Sequence, residues 1–141
     1  MPTTHPATAE TPVAVLVVIS KAPDQRALSR LFDHSNWVLH EAEDARSAIQ
    51  ILQTKSIPIV LFDCESAGGC WRELLRNLNS LPKPPLLIIA SDAANANLWA
   101  DALSLGVYDV LAKPFDQREV FQVLTMAWRR WAYGGAKATA P

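Results

Sequence analysis

What most constrains this chain is a repeated switch in hydrophobic period. Strand-length apolar runs occur at Val13–Ile19, Ile57–Phe62 and Leu86–Ala90, with a shorter one at Val107–Ala112 and a weak one around Trp37–His40. Continuous runs of this kind suit central strands covered on both faces. Between them lie segments of helical spacing: Ala27, Leu28, Leu31 and Phe32 within Asp24–Phe32, then Ala45, Ala48, Ile49 and Leu52 within Asp44–Gln53. Trp71–Leu81 repeats the pattern with Leu74, Leu75, Leu78 and Leu81. A fourth helix spans Asn95–Leu105 and stops at Gly106, and a fifth runs from Asp116 to Trp131 and ends before Gly134-Gly135. Pro23 suits the first turn of the first helix, where its missing N–H costs no bond. Strand and helix thus alternate five times, which predicts an α/β fold: one (βα)5 domain with a doubly wound, parallel five-stranded sheet and right-handed crossovers.

A chain of 141 residues, half of them hydrophobic, supports one such domain with a true core. The folded part is expected at residues 13–133. The Thr-, Ala- and Pro-rich segment 1–12 and the small-residue segment 134–141 bury too little surface to offset their ordering entropy, so a disordered start and a flexible tail are expected. Thirteen basic and fourteen acidic residues leave a formal net charge of −1, which removes any general attraction to nucleic acid or to an anionic membrane. No targeting pattern precedes Val13, and Val13–Ile19 is too short to span a bilayer. The two cysteines, Cys64 and Cys70, lack metal-ligand spacing, so a reduced, soluble, cytoplasmic protein is expected.

In open parallel sheets the working site lies beyond the carboxyl ends of the strands. Those ends deliver "ISKAP", "FDCESAGG", "ASDAA" and "LAKPF". An acid leaving one strand, a lysine leaving another and a proline directly after that lysine form a specific constellation. With "PIVLFD" followed by "ELLRNL", and with "ALSLGVYDVLAKPF", the chain resembles the receiver domains of bacterial two-component response regulators. The resemblance implies the flavodoxin-like, CheY-like receiver fold over essentially the whole core. It also implies a histidine kinase as phosphoryl donor, with Asp63 at the phosphoacceptor position, Lys113 at the position that contacts the acyl phosphate and Pro114 as a candidate cis proline.

Other positions depart from the family. Aligning "VVISKAPDQR" on its Pro-Asp and Arg places Ser20 and Lys21 where the family carries the acid pair that helps to hold Mg2+. An alcohol and an ammonium do not suit a hard divalent cation, so weak or absent Mg2+ binding is expected and no cofactor is assigned. The hydroxyl residue that ends the fourth strand in the family is read here as Ala90, the aromatic switch residue as Val110, and the proline after the phosphorylation loop as Ala67. With the metal site lost, phosphorylation of Asp63 is expected to be very slow. Lys21 and Lys113 together would neutralise Asp63 without a metal. Glu65 and Asp92 are the acids from which a substitute metal site would have to be built.

An output surface is read on the fifth helix. "REVFQVLTMAWRRW" sets Val120, Phe121, Val123, Leu124, Ala127, Trp128 and Trp131 along one arc of about 160°. Trp99, Phe121, Leu124, Trp128 and Trp131 are the expected contact residues of a homodimer or partner face formed by the fourth helix, fifth strand and fifth helix. The competing account is that the indoles only close a small core. His5, His34 and His40 lack ligand spacing, and neither a G-x-S-x-G elbow nor a Walker loop occurs, so no enzyme is read. A flavodoxin-like cofactor binder would need a phosphate cradle that "SKAPDQ" does not supply. The expected function is an atypical receiver acting through protein contacts. The alternatives are a receiver that responds to phosphorylation of Asp63, or the N-terminal regulatory module of a longer transcription factor or enzyme.

Overall fold

The computed structural model describes residues 13–20, 22–33, 35–65 and 70–138. Lys21, His34, Ala67 and the segment 1–12 lie outside the described residues, as do residues 139–141. Five strands, β1 (Ala14–Val18), β2 (Val38–Ala42), β3 (Ile59–Asp63), β4 (Leu86–Ser91) and β5 (Asp109–Ala112), alternate with five helices. These are α1 (Ala22–Phe32), α2 (Ala45–Thr54), α3 (Trp71–Asn79), α4 (Ala96–Leu105) and α5 (Gln117–Ala138). All neighbouring strands pair in parallel, in the order β2-β1-β3-β4-β5. The architecture is the doubly wound α/β fold that the alternating periods predict.

Side-chain alternation divides the core into two layers. Leu16, Val18, Val60, Phe62, Leu87 and Ile89 face the layer shared with α2, α3 and α4, where Leu52, Leu74, Leu78 and Ala102 are buried. Their sequence neighbours Val15, Val17, Ile59, Leu61, Ile88 and Ala90 face the opposite layer, with Leu28 and Phe32 of α1 and Val120, Leu124 and Ala127 of α5. A strand apolar at every position is therefore one buried on both faces. Local chemistry fixes the helix ends. Asp44 Oδ1 accepts the Ser47 amide at 2.8 Å, and Asn95 Oδ1 accepts the Leu98 amide at 2.9 Å. α4 closes at Gly106, whose φ of 115° is left-handed, while the Val107 amide returns to the Ala102 carbonyl at 3.0 Å.

Several boundaries differ from the sequence reading by one or two residues, and two differences bear on the site and on the last helix. β4 continues one residue beyond Ala90 to Ser91, because Ser91 still pairs with Ala112 of β5. The last helix does not end before Gly134-Gly135 but runs on to Ala138. Two glycines weaken a helix by about 1 kcal/mol each without forbidding it, and the Ala-Lys-Ala that follows favours continuation.

Candidate functional site

The topological switch in this strand order lies between β1 and β3, and the polar groups gather at the carboxyl ends of the strands. β3 ends in Asp63, which is only 2% exposed and sits opposite Ala90 in the sheet register. The Cys64 amide donates to the Ala90 carbonyl at 2.9 Å, and the Glu65 amide donates to Asp63 Oδ1 at 3.1 Å. The acid is thus held by the strand and by the turn that leaves it.

Lys113 follows β5 and reaches back across the sheet. Its ammonium lies 2.7 Å from Asp63 Oδ1, 3.1 Å from Glu65 Oε1 and 3.4 Å from Asp24 Oδ2. Asp24 enters from the first turn of α1. The Lys113–Pro114 peptide bond is cis. Burial works against the charge of Lys113, but hydrogen bonds to Asp63 and Glu65 and the charges of Asp63 and Asp24 outweigh it and raise its pKa. For Glu65, burial again opposes the charge, while hydrogen bonds from Ser91, Asp92 and Lys113 hold its carboxyl below the usual range. Cys64, beside this cluster, is pushed up to about 12 by burial and by the neighbouring Glu65 and Asp63 charges, which makes it an inert thiol.

Ser91 is the residue that the sequence reading misses. Its side chain is buried and donates to Glu65 Oε2 at 2.5 Å, while its hydroxyl oxygen accepts the Ala93 amide at 2.9 Å. The Lys113 amide donates to the Ser91 carbonyl at 3.1 Å, so the hydroxyl and the lysine are fixed to each other by the sheet. Ala90 pairs in register with Asp63 and is fully buried, so the position read as the family's switch hydroxyl presents only a methyl group. The strand-end rule that selects Asp63 as the polar residue closing "IVLFD" selects Ser91 as the one closing "LLIIAS". Asp24 is missed because its helix position says nothing of the lysine it meets across the fold.

The family model for the response regulator receiver domain matches residues 15–125. This chain belongs to the response regulator receiver domain family. The receiver is similar to the transcriptional regulatory protein ResD of Bacillus subtilis, with 26% identity over 106 residues, 75% of this chain and 44% of that protein. It is 28% identical to the sensory transduction protein LytR of Streptococcus agalactiae over 115 residues, 79% of this chain and 46% of that protein. The chain therefore spans less than half the length of these curated relatives. The signal receiver domain of an HD domain-containing protein from Pseudomonas fluorescens superposes with a TM-score of 0.75 at 25% identity, covering 86% of this chain and 98% of that one.

The remaining site positions scatter. Ser20 is exposed just after β1. The receiver's family implies a magnesium ion here; Asp63, Glu65 and Asp24 gather around the Lys113 ammonium, and among the described residues no group of three His, Cys, Asp or Glu side chains is arranged to hold a metal. Val110 is buried in the layer facing α4. The expected contact residues do not form one surface. Leu124 is fully buried and belongs to the core. Phe121 packs edge-on against Phe32 at 5.2 Å and lies 6.4 Å from Trp37, while Trp128 flanks the same layer. Trp131 is partly buried beneath Lys83, whose ammonium stands 3.8 Å from the ring centre. Trp99 alone of the five is half exposed, on α4 across the sheet from the layer holding Phe121. Period fixes which side chains share an arc of α5, but not that α1 and Trp37 already cover part of it. Among the described residues no helix is long and apolar enough to cross a membrane.

Proposed function

We propose that this receiver works in signal transduction through protein contacts and that Mg2+-dependent phosphorylation of Asp63 is impaired. The observation that carries the reading is the substituted acid pair: its positions read Ser20 and Lys21, an alcohol and an amine where the family carries carboxylates. Hard divalent cations are held by oxygen ligands, and an amine at an acid-pair position offers none. Phosphoryl transfer rests on positioning and charge neutralisation, so a site that cannot recruit the metal lacks its main source of catalysis.

The contact surface is the exposed apolar face of α4 beside the edge strand β5. Trp99 and Leu103, one helical turn apart and 50% and 37% exposed, form that surface. A protein partner or a second copy would dock there, in the cytoplasm, with no direct role for nucleic acid or membrane. A second reading, a receiver that a histidine kinase phosphorylates on Asp63, draws support from Ser91, since a hydroxyl does close β4 next to Lys113. The short coverage of ResD supports a third, in which this domain regulates a longer transcription factor or enzyme.

Titrating Mg2+ against tryptophan fluorescence, for the natural sequence and for Lys21→Asp, tests the first reading. The natural protein is expected to give no saturable response, and Lys21→Asp to gain one. Saturable Mg2+ binding by the natural protein would contradict it.

A further inference from the structure

Glu65 lies in the turn that leaves β3, and its carboxylate is held from three sides. Oε2 accepts the Ser91 hydroxyl at 2.5 Å, and Oε1 accepts the Asp92 amide at 2.9 Å and lies 3.1 Å from the Lys113 ammonium. Two of the donors are buried, with Ser91 2% exposed and the Lys113 side chain 5%, and the third, the Asp92 amide, lies in the exposed turn after β4, whereas the Glu65 side chain is 28% exposed. A hydroxyl, a backbone N–H and an ammonium converging from fixed positions suit an oxyanion.

We propose that Glu65 is a tethered anion that fills an oxyanion seat formed by Ser91, Asp92 and Lys113, so that phosphate enters only when this side chain swings out. The inference deepens the reading above and rests on it in one respect, that Asp63 is unmodified. A carboxylate and a phosphate compete for the same donors. The carboxylate has the advantage because it is attached two residues from Asp63, which turns its binding into an intramolecular event. Exposure at the rim gives it a route out, and the buried donors stay behind as a formed site. The device is a self-occupied receiver pocket in which one side chain sets access for a free or a transferred phosphoryl group.

The test is a titration of inorganic phosphate in metal-free buffer into the natural protein, Glu65→Ala and Glu65→Gln, following the Asp92 amide in proton–nitrogen correlation spectra. The natural protein is expected to show no movement of this amide. In Glu65→Ala the amide moves upfield, returns as phosphate is added, and reports binding at least about tenfold tighter than the natural protein's. Glu65→Gln, which keeps the side-chain size, moves in the same direction and carries the test if the alanine variant does not fold, since the same spectra report folding. Adding Lys113→Met to either variant abolishes the gain. A folded Glu65 variant with no phosphate response, or a natural protein that binds phosphate equally well, would overturn the proposal. A parallel arm with acetyl phosphate and Mg2+, read by intact mass, separates the transferred group: an adduct on Asp63 in the natural protein counts against the impaired-phosphorylation reading, while the phosphate titration alone judges the seat.

Discussion

The Lys113 cluster and the aromatic flank of α5 are two solutions to burial, each joining the last third of the chain to earlier segments. At the strand ends, Lys113 after β5 stands 2.7 to 3.4 Å from three carboxylates of β3, α1 and the turn after β3. On the flank, Phe32, Trp37 and Phe121 meet with ring centres 5.2 to 6.5 Å apart, as contacts that tolerate some repacking. Removing Lys113 from the first takes a cation away from three carboxylates. In the second, losing a ring leaves a smaller apolar contact. Each prediction below sharpens or breaks that contrast.

Leu124→Ala has the largest expected effect. It empties a fully buried position under the sheet and should cost about 3 kcal/mol in urea unfolding. A loss below about 1 kcal/mol would mean that Leu124 serves the surface after all. Next, Lys113→Met should cost about 2 kcal/mol, less than the loss of a fully enclosed pair, because Asp24 and Glu65 can turn to water while Asp63 cannot. The stability difference between the natural protein and Lys113→Met should also follow pH. Glu65 titrates below its ordinary 4.5, so its share is present above that pH and fades as pH falls through the lowered value. Lys113 titrates above its ordinary 10.5, so its share is whole below that pH and fades as pH rises. Denaturant melts across pH should therefore show the widest gap between 4.5 and 10.5. A gap that does not change with pH would remove the ion pairs from the account.

Phe121→Leu trades one aromatic contact for an aliphatic one and should cost about 1 kcal/mol without altering the fold. Trp99→Ser is the smallest: within about 0.5 kcal/mol for the isolated domain, because the ring is half exposed. Its effect belongs to self-association, and sedimentation should show a weaker dimer if α4 is the contact face.

These regions were not equally legible in the sequence. Parallel strands buried on both faces leave unbroken apolar runs, and a polar residue closing such a run falls at the sheet's working end. Asp63 and Lys113 could therefore be placed from pattern and resemblance together. Ser91 obeys the same rule but is hidden because Ala90 extends the apolar run and reads as its end. Asp24 and Glu65 come to Lys113 through the crossing of α1 and a turn, which no period encodes. The aromatic arc of α5 was visible as an arc, yet whether Phe121 meets solvent depends on Phe32 and Trp37, distant in sequence and brought there by the fold. The continuation of α5 through Gly134-Gly135 was misread because glycine lowers helix stability without setting a boundary.

The most direct test of the central claim, that the substituted acid pair impairs metal-assisted phosphorylation of Asp63, is the intact mass of the natural protein after incubation with acetyl phosphate and Mg2+. An unchanged mass under conditions that fully label a competent receiver is the predicted result. One added phosphoryl group, lost again in Asp63→Asn, would contradict the account.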